Sequence, residues 1–220
     1  MYSVKEMFYT LQGEGANAGR PAVFCRFTGC NLWSGREKDR ATATCTFCDT
    51  DFRGTDGEGG GKFATAEELA TAITNLWPDF EDRQARPLVV CTGGEPLLQL
   101  DDAAIDALHD AGFEIAIETN GTLLIPRGID WSVVSPKGKA DMVVTVCDEL
   151  KLVYPQPDAM PERFLSIEAK HYYLSPMVDP HRSDSDPIYR NAHTRAAIEH
   201  CLKHPRWKLN VQTHKIVNIA

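Results

Sequence analysis

The chain has no apolar run near the ~20 residues that cross a bilayer. Met1 to Gly15 has no basic segment followed by an apolar core, so no secretion signal is expected either. Basic residues are not in surplus: 23 Lys and Arg stand against 31 Asp and Glu, a net charge of −8. An acidic surface repels phosphate backbones, which argues against nucleic acid as a direct partner. No internal repeat is visible. The one low-complexity stretch, Gly57-Glu58-Gly59-Gly60-Gly61, has no strand before it and no Lys-Ser/Thr after it. It therefore reads as a flexible loop and not as a phosphate cradle. Seven cysteines, an odd number, are not a disulfide framework in a reducing compartment. These exclusions leave a cytoplasmic globular chain without a membrane partner. Its 220 residues, 43% apolar and 25% charged, suffice for one well-packed domain over 1–220.

Strand and helix signals alternate. Ala22 to Phe27, Leu88 to Cys91, and Phe113, Ile115 and Ile117 read as buried strands. Trp131 to Val134, Met142 to Val146, Leu150 to Tyr154, Tyr172 to Leu174 and Trp207 to Gln212 add further strands. Thr65-Ala66-Glu67-Glu68 is a capping box. It opens a helix with the apolar stripe Leu69, Ile73, Leu76 and Trp77, stopped by Pro78. Asp101 or Asp102 caps a second helix that carries Ile105 and Leu108 and ends at Gly112. A third, from about Asn191 to His204, carries Ala196, Ile198 and Leu202. Strands apolar on both faces and alternating with helices predict a parallel α/β sheet. The chain is short for an eight-stranded barrel of ~250 residues. A partial barrel or an open doubly wound sheet remains. Val178 to Asp186, polar and with two prolines in its neighbourhood, reads as a surface loop.

Polar clusters fall where strands end: Thr92-Gly93-Gly94-Glu95-Pro96, Glu118-Thr119-Asn120-Gly121, Ser135-Pro136-Lys137 and Gln212-Thr213-His214-Lys215. Any one of them is ordinary turn chemistry. Four at the carboxyl rim of a parallel sheet mark a ligand site.

Cys25, Cys91, Cys147 and Cys201 sit in apolar surroundings and read as core packing. Cys30, Cys45 and Cys48 do not. They follow the first buried strand in a polar segment, with fourteen residues between the first two and two between the last two. A Cys-x-x-Cys pair with a third thiolate in reach is a metal-ligand pattern. A fourth ligand is not evident. Structural zinc needs four, whereas three thiolates on a [4Fe–4S] cluster leave one iron open to a substrate or cofactor. S-adenosylmethionine, with amino and carboxylate groups that chelate a metal, fits such an opening.

Cys45-Thr46-Phe47-Cys48 resembles the second half of the radical S-adenosylmethionine motif, and Gly93-Gly94-Glu95-Pro96 resembles that superfamily's glycine motif, in which a carboxylate can stabilise the ammonium of the cofactor. The usual first spacing is three residues. The fourteen-residue gap, with Leu11-Gln12-Gly13-Glu14-Gly15, Arg26 and Cys48-Asp49-Thr50-Asp51, narrows the resemblance to the 7-carboxy-7-deazaguanine synthase family, over nearly the whole chain. That resemblance implies an abbreviated parallel β/α barrel with an extended cluster-binding loop at about 30–50, and a homodimer. It implies conversion of 6-carboxy-5,6,7,8-tetrahydropterin to 7-carboxy-7-deazaguanine with loss of ammonia, in queuosine and deazapurine biosynthesis. The implied cofactors are a [4Fe–4S] cluster, S-adenosylmethionine and Mg²⁺; the implied partner is a flavodoxin-like electron donor.

Carried onto this sequence, Cys30, Cys45 and Cys48 would ligate the cluster. Phe47, Cys48, Asp49, Gly94, Ser135, Pro136 and Lys137, and more loosely Ser175, Pro176 and Met177, would meet S-adenosylmethionine. Leu11, Gln12, Gly13, Glu14, Arg26, Thr92 and the terminal carboxylate of Ala220 would meet the substrate, and Thr50 would hold Mg²⁺. Arg26 offers a planar fork for the substrate carboxylate, and Glu14 an acceptor for its amino-pyrimidine edge, with Glu118 as a second such acceptor. Three departures stand out. Asp148 precedes Glu149-Leu150-Lys151 where asparagine is expected, the loop from Val178 is long, and Lys139 lies close enough to Lys137 to compete for the cofactor. Two other readings remain open at this point: an activating enzyme that makes a glycyl radical on a partner protein, and a structural-zinc interaction module.

Overall fold

The computed structural model describes residues 1–78, 86–178 and 191–219. Among them, nine strands form one sheet in the order β3-β1-β2-β4-β5-β6-β7-β8-β9. They are β1 (Tyr2–Leu11), β2 (Pro21–Phe27), β3 (Gly61–Phe63), β4 (Leu88–Gly93), β5 (Glu114–Thr119), β6 (Trp131–Val134), β7 (Val146–Tyr154), β8 (Glu168–Pro176) and β9 (Trp207–Leu209). From β2 to β9 every neighbouring pair is parallel. β1 runs antiparallel to β2 and β3 and seals one edge. Helices α1 (Ala66–Thr74), α2 (Asp102–Asp110) and α3 (Ala192–Lys203) serve as crossovers, and α4 (Thr213–Val217) follows the last strand. The connections from β5 to β6 and from β6 to β7 carry no helix. That is what abbreviates the barrel.

The capping signals set the helix starts. Thr65 Oγ1 accepts from the Glu68 amide at 3.2 Å, and the Glu68 carboxylate reaches back to the Ala64 amide at 2.7 Å. Of the two candidate caps for α2, Asp101 does the work: it accepts from the Ala104 amide at 3.0 Å and from the Tyr2 hydroxyl at 2.6 Å. Leu69, Ile73, Ile105 and Leu108 pack with Cys25, Cys91 and Ile117 in the larger core. A second core gathers Leu150, Leu152, Tyr172 and Trp207 under α3, with Cys147 buried and Cys201 packed at its edge. No described helix is long and apolar enough to cross a membrane.

Several expectations change. Helix α1 ends at Thr74, yet Trp77 beyond it still covers the core, edge-on to Tyr9 at 5.2 Å and to Phe113 at 6.1 Å. Met142 to Thr145 is not a strand: β7 begins at Val146, because residues 142–144 fold back onto the turn at Gly121, whose carbonyl accepts from the Val143 amide at 3.0 Å. The last strand stops at Leu209. The Asn210 amide still donates to the Leu174 carbonyl on β8 at 2.9 Å, while its side chain bonds Gly15 and Glu14. In α3 the inward face is Thr194 and Ala197, so Ile198 and Leu202, a step around the helix, are exposed. The strand Tyr2–Leu11 carries no sequence signal of the kind used above, since Lys5 and Glu6 interrupt its apolar residues. The loop expected from Val178 lies, past that residue, outside the described residues.

Ile117 is fully buried in the larger core on a central strand. Ile117→Ala should lower the unfolding free energy by about 2–5 kcal/mol. Cys201→Ala, at a core margin, should cost clearly less; urea titrations of both variants check the ordering.

Candidate active site at the carboxyl rim

The parallel strands deliver their carboxyl ends to one rim, and two adjoining cavities open there. The larger, about 950 Å³, is lined by Cys30, Cys45, Phe47, Cys48, Gly94, Ser135, Lys137, Ser175, Pro176 and Met177, among others. The smaller, about 430 Å³, is lined by Leu11, Gln12, Gly13 and Arg26 with Lys5, Phe24 and His214. Glu14, Asp49, Thr50, Thr92, Glu118 and Gln212 line both. The residues expected to meet a cofactor and those expected to meet a substrate thus fall into separate compartments with a common wall. Pro136 is not on either wall; its neighbours Ser135 and Lys137 are. Ala220 lies outside the described residues.

The cysteine loop is closed by its own insertion. The amides of Thr44 and Cys45 both donate to the carbonyl of Leu32, at 3.2 and 3.4 Å, which folds the fourteen-residue excursion back beside Cys30. Residues Glu37–Thr42 form a 3-10 turn within it. From that turn Arg40 donates to the carbonyls of Thr46 and Cys48, at 3.1 and 3.0 Å, and stacks over Trp33 at 4.1 Å. The Cys45 thiol donates to Cys48. This bond brings Cys48 down to about 6 and pushes Cys45 up, with burial raising both. Among the described residues, no three His, Cys, Asp or Glu side chains converge on a single metal ion. The three thiols instead line the wall of a roomy cavity.

The glycine loop after β4 is pressed onto this segment. Gly94 donates to the carbonyl of Phe27 at 3.1 Å and Glu95 to that of Gly29 at 2.8 Å. A side chain at Gly94 would overlap the Gly29 carbonyl, so only glycine fits. Glu95 does not face the cavity, contrary to the expectation that its carboxylate meets a cofactor ammonium. It is fully buried and accepts from Thr119 Oγ1 and the Asn120 amide, both at 2.8 Å, and from the Leu97 amide at 3.1 Å. Its role is to tie β4 to the end of β5. Burial pushes its carboxyl up, against the hydrogen bonds it accepts and the Lys137 charge.

The two neighbouring lysines differ in burial. Lys137 lines the larger cavity and donates to the Ser135 carbonyl at 2.7 Å; burial lowers its pKa. Lys139 is exposed, 3.8 Å from Asp158. Asp148 accepts from the Ser132 amide at 2.7 Å and pairs with Lys170 at 2.6 Å, so its extra charge has a cation.

In the smaller cavity, Arg26 donates its Nε to Glu6 at 2.8 Å. Three residues that the sequence reading did not single out individually close this side. Gln212 donates to Glu14 at 2.8 Å, His214 packs against Gly13 where any side chain would clash, and Lys215 pairs with Asp49 at 3.0 Å. Their signal was the polar cluster after the last strand. Glu14 is buried, which by itself raises its pKa. The Lys151 ammonium at 2.7 Å and Gln212 override burial and bring it down to about 2.

A parallel sheet with abbreviated crossovers, carrying a three-cysteine loop and a glycine loop at its rim, defines a partial β/α barrel of the radical S-adenosylmethionine class. The crystal structure of QueE from Escherichia coli superposes with a TM-score of 0.67 at 27% identity, covering 97% of this chain and 94% of that one. No family model matches the chain. Curated relatives do: the 7-carboxy-7-deazaguanine synthases of Caulobacter vibrioides and Bordetella pertussis are 61% and 60% identical, each over 99% of both chains. The chain belongs to the 7-carboxy-7-deazaguanine synthase family. Membership at that identity sets aside the activating enzyme and the zinc module.

Glu14 falls from 4.5 to about 2 on folding. It therefore contributes stability that is complete above pH 4.5 and lost as pH falls toward about 2. Glu14→Gln should melt lower at neutral pH and lose less stability than the unsubstituted protein over that acid interval, as followed by circular dichroism.

Proposed function

We propose that the chain converts 6-carboxy-5,6,7,8-tetrahydropterin into 7-carboxy-7-deazaguanine with loss of ammonia, in queuosine and deazapurine biosynthesis. Full-length identity of 61% to a synthase of that name carries the reading. The two-compartment rim supports it: thiols line the larger cavity, and Arg26 with several amide and carboxylate groups lines the smaller.

The donor set fits a [4Fe–4S] cluster. Three thiols on one wall, with no fourth cysteine or histidine among the described residues lining that cavity, suit a cluster that keeps one iron open. Cys30, Cys45 and Cys48 would hold it. The glycine loop suits S-adenosylmethionine, because Gly94, packed without a side chain against the Gly29 carbonyl, lines the cavity beside Cys30. Phe47, Asp49, Ser135, Lys137 and the Ser175–Met177 segment would complete that site, with Pro136 fixing the turn between two of its members. When bound, the two cofactors supply one-electron cleavage and hydrogen-atom transfer.

The chain's own residues do the rest. Arg26 receives the substrate carboxylate through its fork while Glu6 steadies its Nε. Thr50, on the wall common to both cavities, offers Mg²⁺ a hard oxygen beside that carboxylate. Leu11, Gln12, Gly13, Glu14 and Thr92 bound the pterin, with the terminal carboxylate of Ala220 as a further contact. Cavity walls closed by Gln212 and His214 keep water from the reacting face. A homodimer, a flavodoxin-like electron donor and a cytoplasmic site of action complete the reading.

Metal analysis after anaerobic purification tests the cluster assignment. About four irons and four sulfides per chain are expected. Cys30→Ala, Cys45→Ala or Cys48→Ala should abolish both cluster absorbance and turnover, while Cys91→Ala keeps them. Stoichiometric zinc without sulfide would refute the assignment. Arg26→Ala tests the substrate assignment. Losing a charge-assisted bond in a water-poor site costs on the order of 2–5 kcal/mol. kcat/KM for the pterin should therefore fall at least about thirtyfold, with iron content unchanged.

A further inference from the structure

Lys151 on β7 is a buried cation that none of the assignments above uses. It is 8% exposed and lines the larger cavity. Its Nζ lies 2.7 Å from Glu14 Oε2, on the turn after β1, and 3.5 Å from Glu118 Oε1, at the end of β5. Both carboxylates line the wall common to the two cavities. Among the described residues, Lys151 is the one basic side chain in ion-pair contact with either. The other titratable groups facing this wall are Lys137 from the turn after β6, Glu149 from β7, His214 from α4, and Asp49 from the cysteine loop, which pairs with Lys215 at 3.0 Å. Burial works against the Lys151 charge, and Glu118 and Glu14 more than offset it, so the ammonium is held above the usual lysine range.

The two carboxylates differ in what they have left to give. Glu14 is tightly held: Oε2 accepts from Lys151 at 2.7 Å and from Asn210 Nδ2 at 3.2 Å, and Oε1 from Gln212 Nε2 at 2.8 Å. Glu118 has only long contacts: Gln12 Nε2 at 3.3 Å, Thr92 Oγ1 at 3.4 Å and Lys151 at 3.5 Å. An ionised carboxylate has about four acceptor sites, and these loose bonds leave Glu118 open to a better donor. Glu14 is an anchor; Glu118 is an acceptor facing the cavity.

On the reading of the smaller cavity as the pterin site, we propose that Lys151 is a positioning residue of the reaction. It locks Glu14 in place and, with the same ammonium, holds Glu118 as the open acceptor for the N–H-rich edge of the heterocycle. Two carboxylates on one part-buried wall without a cation share a proton, because both cannot stay charged at low cost. A carboxyl that has gained a proton turns one oxygen into a donor, and a donor faced with an N–H edge repels it.

The test is calorimetric binding of 6-carboxy-5,6,7,8-tetrahydropterin to the cluster-loaded protein with S-adenosylmethionine present, from about pH 5.5 to 8.5. Unsubstituted protein, Lys151→Met and Lys151→Arg are compared, with iron content and S-adenosylmethionine affinity measured in each. Lys151→Met should bind the pterin at least about tenfold more weakly at the acid end and recover as pH rises. Its KM should rise more than its kcat falls. Lys151→Arg, which keeps the cation, should restore the unsubstituted pH dependence. If Lys151→Met does not fold, Lys151→Gln removes the cation while keeping a polar side chain between the two carboxylates. It should show the same acid weakening, since Glu118 still lacks its cation. Binding by Lys151→Met with an unchanged affinity and pH profile would overturn the inference alone. An equal loss at every pH in both the Met and Arg variants would also overturn it, since only packing would be involved. Failure of the unsubstituted protein to bind the pterin would overturn the proposed function, and this inference with it.

Discussion

The rim is organised by one close approach, that of the glycine loop to the backbone just before Cys30. Parallel pairing of β2 with β4 sets Phe27 beside Gly93, so the two chains leave the sheet side by side. They stay together because Gly94 and Glu95 donate to the carbonyls of Phe27 and Gly29. The contact tolerates no side chain at Gly94. Glu95 then turns inward and grips Thr119 and Asn120, and Asn120 Nδ2 donates to Asn31 at 2.9 Å, next to the first cysteine of the loop. The bonds form a closed circuit from Gly29 through Glu95 and Asn120 to Asn31. Three strand ends are fixed relative to one another, and the larger cavity inherits its shape from that circuit.

Glu95 also shows how a motif can be legible while the job of one of its members is not. Its place after two glycines suggests a ligand contact. Only the register of β4 and β5 reveals that the carboxylate is consumed by the protein's own amides and hydroxyl. Where a residue's role depends on which partner lies across the sheet, sequence spacing says little. Lys151 is the same case. It stands in the apolar run of β7, and its partners are 137 residues away in the chain at Glu14 and 33 away at Glu118.

Features with local causes were legible. The capping pairs at Thr65 and Asp101, the apolar strands β4 and β5, and the cysteine spacing each depend on residues within a few positions of one another. β1 was not, because an antiparallel strand with Lys5 and Glu6 in its middle lacks an apolar run. Neither was the face that α3 buries. Its inward residues are Thr194 and Ala197, small enough to let the helix sit close to β8 and β9, while the larger Ile198 and Leu202 point away. Side-chain size at the contact, and not hydrophobicity alone, decides that orientation. The terminal helix α4 escaped notice for a related reason: Thr213–Val217 is a single turn held by Gly13, whose carbonyl accepts from both the Thr213 amide and its hydroxyl at 2.9 Å.

The fourteen-residue gap between Cys30 and Cys45 looks like a departure from a three-residue spacing, but its geometry shows why length there is cheap. Loop-closure entropy grows only with the logarithm of length, so eleven extra residues add on the order of 1 kcal/mol. The loop needs only a few bonds to offset that. The Leu32 carbonyl takes two amides, and Arg40 takes two carbonyls while lying over Trp33. These contacts pin the excursion at its base and at the Cys45-Thr46-Phe47-Cys48 turn, so the last two thiols are presented as a short spacing would present them. Residues between the pins carry the charges of Arg36, Glu37, Lys38 and Asp39, of which Glu37 lines the larger cavity. Spacing in sequence and spacing in the fold come apart here, and the bonds that the insertion makes within itself are the physical reason.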